Sequence, residues 1–193
     1  MNEQKEDFQL REQNKAKPMI EDIIPEYLDG DNKNNALDFI DYLRENKMKP
    51  VWAIQNGWKA VYKGKPIYYI RLPKSKHHFL NKKQSDKTDW TRSWVVTPYL
   101  LHYRRYEDLI IGEGLQNFFW DNMRRCIHVI TGECNSHNCA PGVDTTVLGK
   151  EFENLCHFVN SGANTLWYVN PDKTDICNIK KLLDIEIKTR SNL

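Results

Sequence analysis

Residues 51–72 read VWAIQNGWKAVYKGKPIYYIRL, and this stretch decides the fold. Three short runs rich in aromatic and β-branched residues, Val51 to Ile54, Trp58 to Tyr62 and Pro66 to Leu72, suit extended backbone. Between them stand Asn56-Gly57 and Lys63-Gly64-Lys65, residues that accept the left-handed backbone of tight hairpin turns. The spacing predicts a three-stranded antiparallel meander. Side chains alternate along a strand, so Trp58, Ala60 and Tyr62 share one face and Lys59, Val61 and Lys63 the other. In the next run Ile67, Tyr69 and Arg71 oppose Tyr68 and Ile70. Aromatics and cations are thus mostly segregated, which favours an aromatic core face and a solvated basic face.

Upstream, an apolar patch of Ile20, Ile23, Ile24, Tyr27 and Leu28 precedes a helix capped by Asn34 or Asn35. Its stripe is Ala36, Phe39, Ile40 and Leu43, and Lys47 to Pro50 ends it. Residues 1–17, nearly all charged or amide, read as a flexible tail; 18–193 read as one domain. Downstream, Lys74 to Arg92 reads as a polar loop and Trp94-Val95-Val96 as a fourth strand. Gly112 and Gly114 split a helical region whose second piece carries Leu115, Phe119, Asn122 and Cys126 on one stripe. A loop over 132–146, an amphipathic stretch at Phe152 to Cys156, and a strand from Thr165 to Val169 follow. Behind Asn170-Pro171-Asp172 a last helix carries Ile176, Ile179, Leu183 and Ile187. Strands grouped together and helices grouped together predict an α+β domain with a three- to four-stranded antiparallel sheet.

The chain has 193 residues, 40% hydrophobic and 28% charged, with a mean hydropathy of −0.71. No apolar run approaches the ~18 residues that a membrane span needs, and no signal-peptide core opens the chain. The expected compartment is a reducing cytoplasm without a membrane partner. The net charge of +2 conceals three blocks. Residues 1–49 carry 8 Lys+Arg against 12 Asp+Glu, residues 50–106 carry 12 against 2, and residues 107–193 carry 8 against 12. A central block at +10 between two at −4 either pairs internally or offers a cationic face to an anion.

All five cysteines lie beyond residue 125. Cys134, His137 and Cys139 share six residues of a turn-forming segment, with Cys126 before it and Cys156 after it. Zinc takes four such ligands, often in close pairs, so these five residues are the candidate metal set. Two other readings fit the same residues. Free cysteines are often simply buried, and Cys139 could be the centre of a redox protein or, with His137 or His157 as base, act as a nucleophile near Gly142. The run Cys139-Ala-Pro-Gly142 with Leu148-Gly-Lys-Glu-Phe152, Asn154-Leu-Cys156 and Gly57-Trp58-Lys59 resembles a signature of small bacterial proteins of unassigned activity. That resemblance implies that the cysteine segment is a regular part of the fold, and it implies no mechanism.

The basic block is also the aromatic one. Trp58, Lys59, Tyr68, Arg71, Trp94, Arg104 and Arg105 are the candidate ligand-binding residues, since rings stack on planar groups while cations meet phosphate or carboxylate. The expected partner is an anionic small molecule or a nucleic acid. Tyr103 to Tyr106 and the Lys74 to Lys87 segment are its expected exposed parts. The segment contains neither a Gly-rich phosphate loop nor a recognised nucleic-acid motif.

Overall fold

The computed structural model of the chain describes residues 12–54, 56–72, 92–100, 102–124, 142–156 and 166–191. The meander forms as the turn chemistry requires. Strands β1 (Lys49–Ile54), β2 (Gly57–Tyr62) and β3 (Lys65–Arg71) pair antiparallel. Lys63 and Gly64 turn the chain at φ 47° and 80°, the left-handed pair that a two-residue hairpin needs. Strand β4 (Val95–Pro98) pairs antiparallel with β3. The pairing at the far edge comes from a later two-residue strand, Tyr168–Val169, antiparallel to β4.

Helices α1 (Ile20–Tyr27), α2 (Gly30–Glu45) and the long C-terminal helix Lys173–Ser191 contribute to the core cluster that includes Trp58, Tyr68, Ile70 and Val96. Phe39 of α2 meets the Tyr68 ring edge-on at 5.6 Å and the Trp94 ring at 6.2 Å. The Trp58 indole N–H donates to the Pro18 carbonyl at 2.9 Å, which ties the chain before α1 to the core. The C-terminal helix opens with reciprocal bonds: the Asp175 N–H donates to Asp172 at 2.8 Å, and the Asp172 N–H donates to Asp175 at 3.3 Å. It is fastened to α2 by the Tyr42 hydroxyl, which donates to Asp184 at 2.6 Å, and by Lys180 on Asp38 at 2.8 Å.

The architecture is α+β, with an antiparallel sheet of five strands. Several elements differ from the sequence reading. The apolar patch at 20–28 is a helix, although Pro25 sits inside it, and α2 starts at Gly30, ahead of Asn34. Asn35 is buried there, donating to the Pro171 carbonyl at 3.3 Å. The region split by the glycines holds two short helices, α3 (Glu107–Gly112) and α4 (Gln116–Asp121). Helix α4 ends before Cys126 because Met123 bridges to Leu166 and the Trp167 N–H donates to the Asn122 carbonyl at 3.0 Å. Within the described residues, the end of the expected loop and the amphipathic stretch after it form a hairpin, β5 (Val143–Val147) with β6 (Lys150–Leu155). Leu148 and Gly149 turn it at φ 49° and 79°. The two-residue strand and the C-terminal helix are hereafter β7 and α5.

Candidate ligand-binding face

Register decides which residues of the basic block stand together. Trp52 opposes Trp58, and Ala60 opposes Tyr68, on the core face. The other face therefore carries the alternate residues. Val51 opposes Lys59, Lys59 opposes Tyr69, and Tyr69 opposes Thr97, giving one continuous row across four strands. In the next row Gly57 opposes Arg71, Arg71 opposes Val95 and Val95 opposes Val169. A third row starts with Lys49 opposite Val61.

This outer face is closed at one side and open at the other. Val95 and Thr97 are buried, the former in a small cluster with Trp167 and Val169. Lys59, Val61, Tyr69 and Arg71 are half-buried, and Lys49 is exposed. The Arg71 guanidinium lies 5.9 Å from the Tyr69 ring centre, and that ring meets Tyr99 at 5.3 Å with 36° between planes. No Asp or Glu occurs between residues 46 and 85, so β1, β2 and β3 bring no carboxylate to this surface. Gly57 keeps the row thin beside Arg71. A Cβ there would come within 2.9 Å of Ile54 Cγ1.

Three of the sequence-predicted ligand residues, Trp58, Tyr68 and Trp94, are fully buried and belong to the core. A ligand does not reach them; they hold up the sheet from behind. Burial pushes the Tyr68 phenol well above its usual pKa, and its hydroxyl donates to the Ile179 carbonyl at 3.4 Å. Lys59 and Arg71 do share the outer face. Arg104 and Arg105 are exposed on a 3-10 turn, Tyr103–Arg105, from which Arg104 reaches Thr145 of the β5–β6 hairpin at 3.2 Å. Tyr103 and Tyr106, expected at the surface, are buried. The Tyr106 phenol is raised by burial and by the adjoining Glu186 carboxylate, to which its hydroxyl donates. The Lys74 to Lys87 segment lies outside the described residues. Tyr69 shares the face of Arg71 by alternation alone but is absent from the candidate set, and Tyr99 and Lys49 are the members that strand-by-strand reading does not single out. The signal for them is the shared parity with Lys59, which appears only once the pairings are known.

Of the cysteine block, Cys126, Cys134, His137 and Cys139 lie outside the described residues, and with them both the metal and the nucleophile readings. Cys156 is buried at the end of β6, and its N–H donates to the Arg124 carbonyl at 3.0 Å. Cys177 is exposed on α5. Among the described residues no three His, Cys, Asp or Glu gather as a metal site, and no helix is long and apolar enough to cross a membrane.

Two open depressions are lined by other residues. One, of about 690 Å³, follows the β5–β6 hairpin past Asp144, Lys150 and Glu153. The other, of about 470 Å³, runs between α3 and α5 past Leu109 and Ile185. The first is polar and rimmed by carboxylates, so it does not suit an anion. Comparisons with protein-family models, with curated proteins and with solved structures find no match to this chain.

Proposed function

We propose that the protein is a binding module that takes an anionic ligand with a planar group on the open part of the outer sheet face. The observation that carries this reading is the row Lys59–Tyr69 with Arg71 laid against the Tyr69 ring. A ring supplies a surface for stacking, and two cations beside it supply charge for phosphate or carboxylate. The absence of any carboxylate from β1 to β3 leaves that charge uncompensated within the strands. The test is equilibrium binding of an adenine nucleotide and a short labelled oligonucleotide, compared between the native protein and a Lys59→Ala/Arg71→Ala double variant. Binding that weakens at least ~10-fold in the variant and falls with added salt supports the proposal. No binding to either probe by the native protein at low ionic strength overturns it.

A second reading concerns the cysteine block. The bonds from Cys156 to Arg124 and from Trp167 to Asn122 clasp the chain just before that block to the chain just after it. Cys126 follows Arg124 by two residues, a reach of at most roughly 7 Å. A zinc ion held by Cys156 with thiols or imidazole from Cys126, Cys134, His137 and Cys139 would suit such a clasp. Metal analysis of protein purified without nickel, followed by chelation and melting, tests it. About one zinc per chain and a lower Tm after chelation support it; metal-free protein with an unchanged Tm removes it.

A further inference from the structure

We infer that the ligand of the outer face is a single-stranded nucleic acid running obliquely across β1, β2 and β3; this rests on the anion-binding reading above. Three cations of this face are related by the same step. Lys49 opposes Val61, and Lys59 lies two residues along β2 from it. Lys59 opposes Tyr69, and Arg71 lies two residues along β3 from it. Diagonal neighbours of this kind stand about 7–8 Å apart. Lys49, Lys59 and Arg71 therefore form an oblique line of equal steps, on the scale of successive phosphates in an extended strand.

A mononucleotide carries its charges in one cluster and is usually held by cations converging in a concavity. These cations do not converge, and neither depression described above includes them. The line calls for a ligand whose charges are themselves in line. On the β4 side of its Lys59–Arg71 step stand Tyr69 and Tyr99, half-buried and therefore held in place with surface left to offer. Stacking on such rings requires a base that is not already stacked in a helix, which selects single strands over duplexes. It is tolerant of base identity, since every base has a flat face.

The experiment titrates the full chain with thymidine monophosphate, oligothymidylates of two, four and eight nucleotides, a duplex of the same length and inorganic polyphosphate. The expected result is affinity that rises at least ~10-fold from monophosphate to the longest oligothymidylate, with a log–log salt slope of about −2 for three phosphate contacts. Lys49→Ala, Lys59→Ala and Arg71→Ala should each reduce that slope by about 0.7, while Tyr69→Ala weakens binding at unchanged slope. Monophosphate binding as tightly as the longest oligothymidylate overturns the strand inference and leaves the anion-binding reading standing. Polyphosphate or duplex binding equal to the single strand overturns it in the same way. No binding to any of these anions at low salt removes both. Melting curves of the four variants, unchanged from the native protein, show that each loss is one of contact and not of folding.

Discussion

Tyr68 and Tyr69 are adjacent, identical in chemistry and opposite in role. Tyr68 lies fully buried against Phe39 and donates its hydroxyl to the C-terminal helix. Tyr69, turned to the other face, carries the Arg71 guanidinium and meets Tyr99. The same division runs through the sheet, with Trp58, Ile70 and Val96 on the helix-covered face and Lys59 and Arg71 on the open one. In a basic and aromatic segment, then, the number of rings says little about recognition. Parity along the strand, carried across the pairings, separates the rings that hold the fold from those that can meet a ligand.

That contrast has a graded set of consequences for substitution. Trp58→Ala removes a fully buried indole and its bond to Pro18, and should cost about 3–5 kcal/mol in urea unfolding. A cost under ~1 kcal/mol would show that the core face does not carry the fold. Arg190→Met comes next. Glu186 is completely buried, and Arg190 donates to it at 2.5 Å while also serving the Pro66 and Tyr99 carbonyls at 3.0 and 2.8 Å. Leaving that carboxylate without a counter-charge, held only by the Tyr106 hydroxyl, should cost roughly 3 kcal/mol, and Glu186→Leu added to it should recover much of the loss.

On the open face the expected effects shrink. Gly57→Ala places a methyl group against Ile54 and should cost about 1 kcal/mol, partly relieved in an Ile54→Ala background. Lys59→Ala, on a half-buried side chain of the open face, should stay within about 0.5 kcal/mol in unfolding. A larger stability loss at Lys59 than at Gly57 would reverse the assignment of that face to recognition.

The strands of the meander and the C-terminal helix were legible in the sequence because alternation and a 3.6-residue period leave strong patterns over enough residues. The β5–β6 hairpin was not. Val143-Asp-Thr-Thr-Val147 is polar and short, and its turn uses Leu148 at positive φ, a residue that seldom takes that conformation. The β-branched content of that run was the available signal. Helix α1 was hidden by Pro25 and by its length of eight residues. Ile67 and Tyr68 are both buried because the β2–β3 pairing skips a residue there, and no alternation rule anticipates such a bulge. Of the proposed ligand face, Lys59 and Arg71 are legible in composition. Tyr69 shares the face of Arg71 by alternation within one strand, whereas Tyr99 and Lys49 need the register, which is a property of two strands and not of either one.

The fastening of α5 has a consequence for synthesis. Its bonds join residues far apart in the chain: Tyr42 to Asp184, Asn35 to Pro171 at its threshold, and Arg190 to Pro66, across 142, 136 and 124 positions. The meander, by contrast, joins neighbours and can form as soon as its own residues are free. A nascent chain on the ribosome would therefore display a β1–β3 ribbon that α1 and α2 can already cover in part, while the portion of its aromatic side that meets α5 stays bare until translation reaches that helix. In that interval the sheet is half covered, and the side of it where Tyr68 awaits the Ile179 carbonyl is the surface a chaperone would meet.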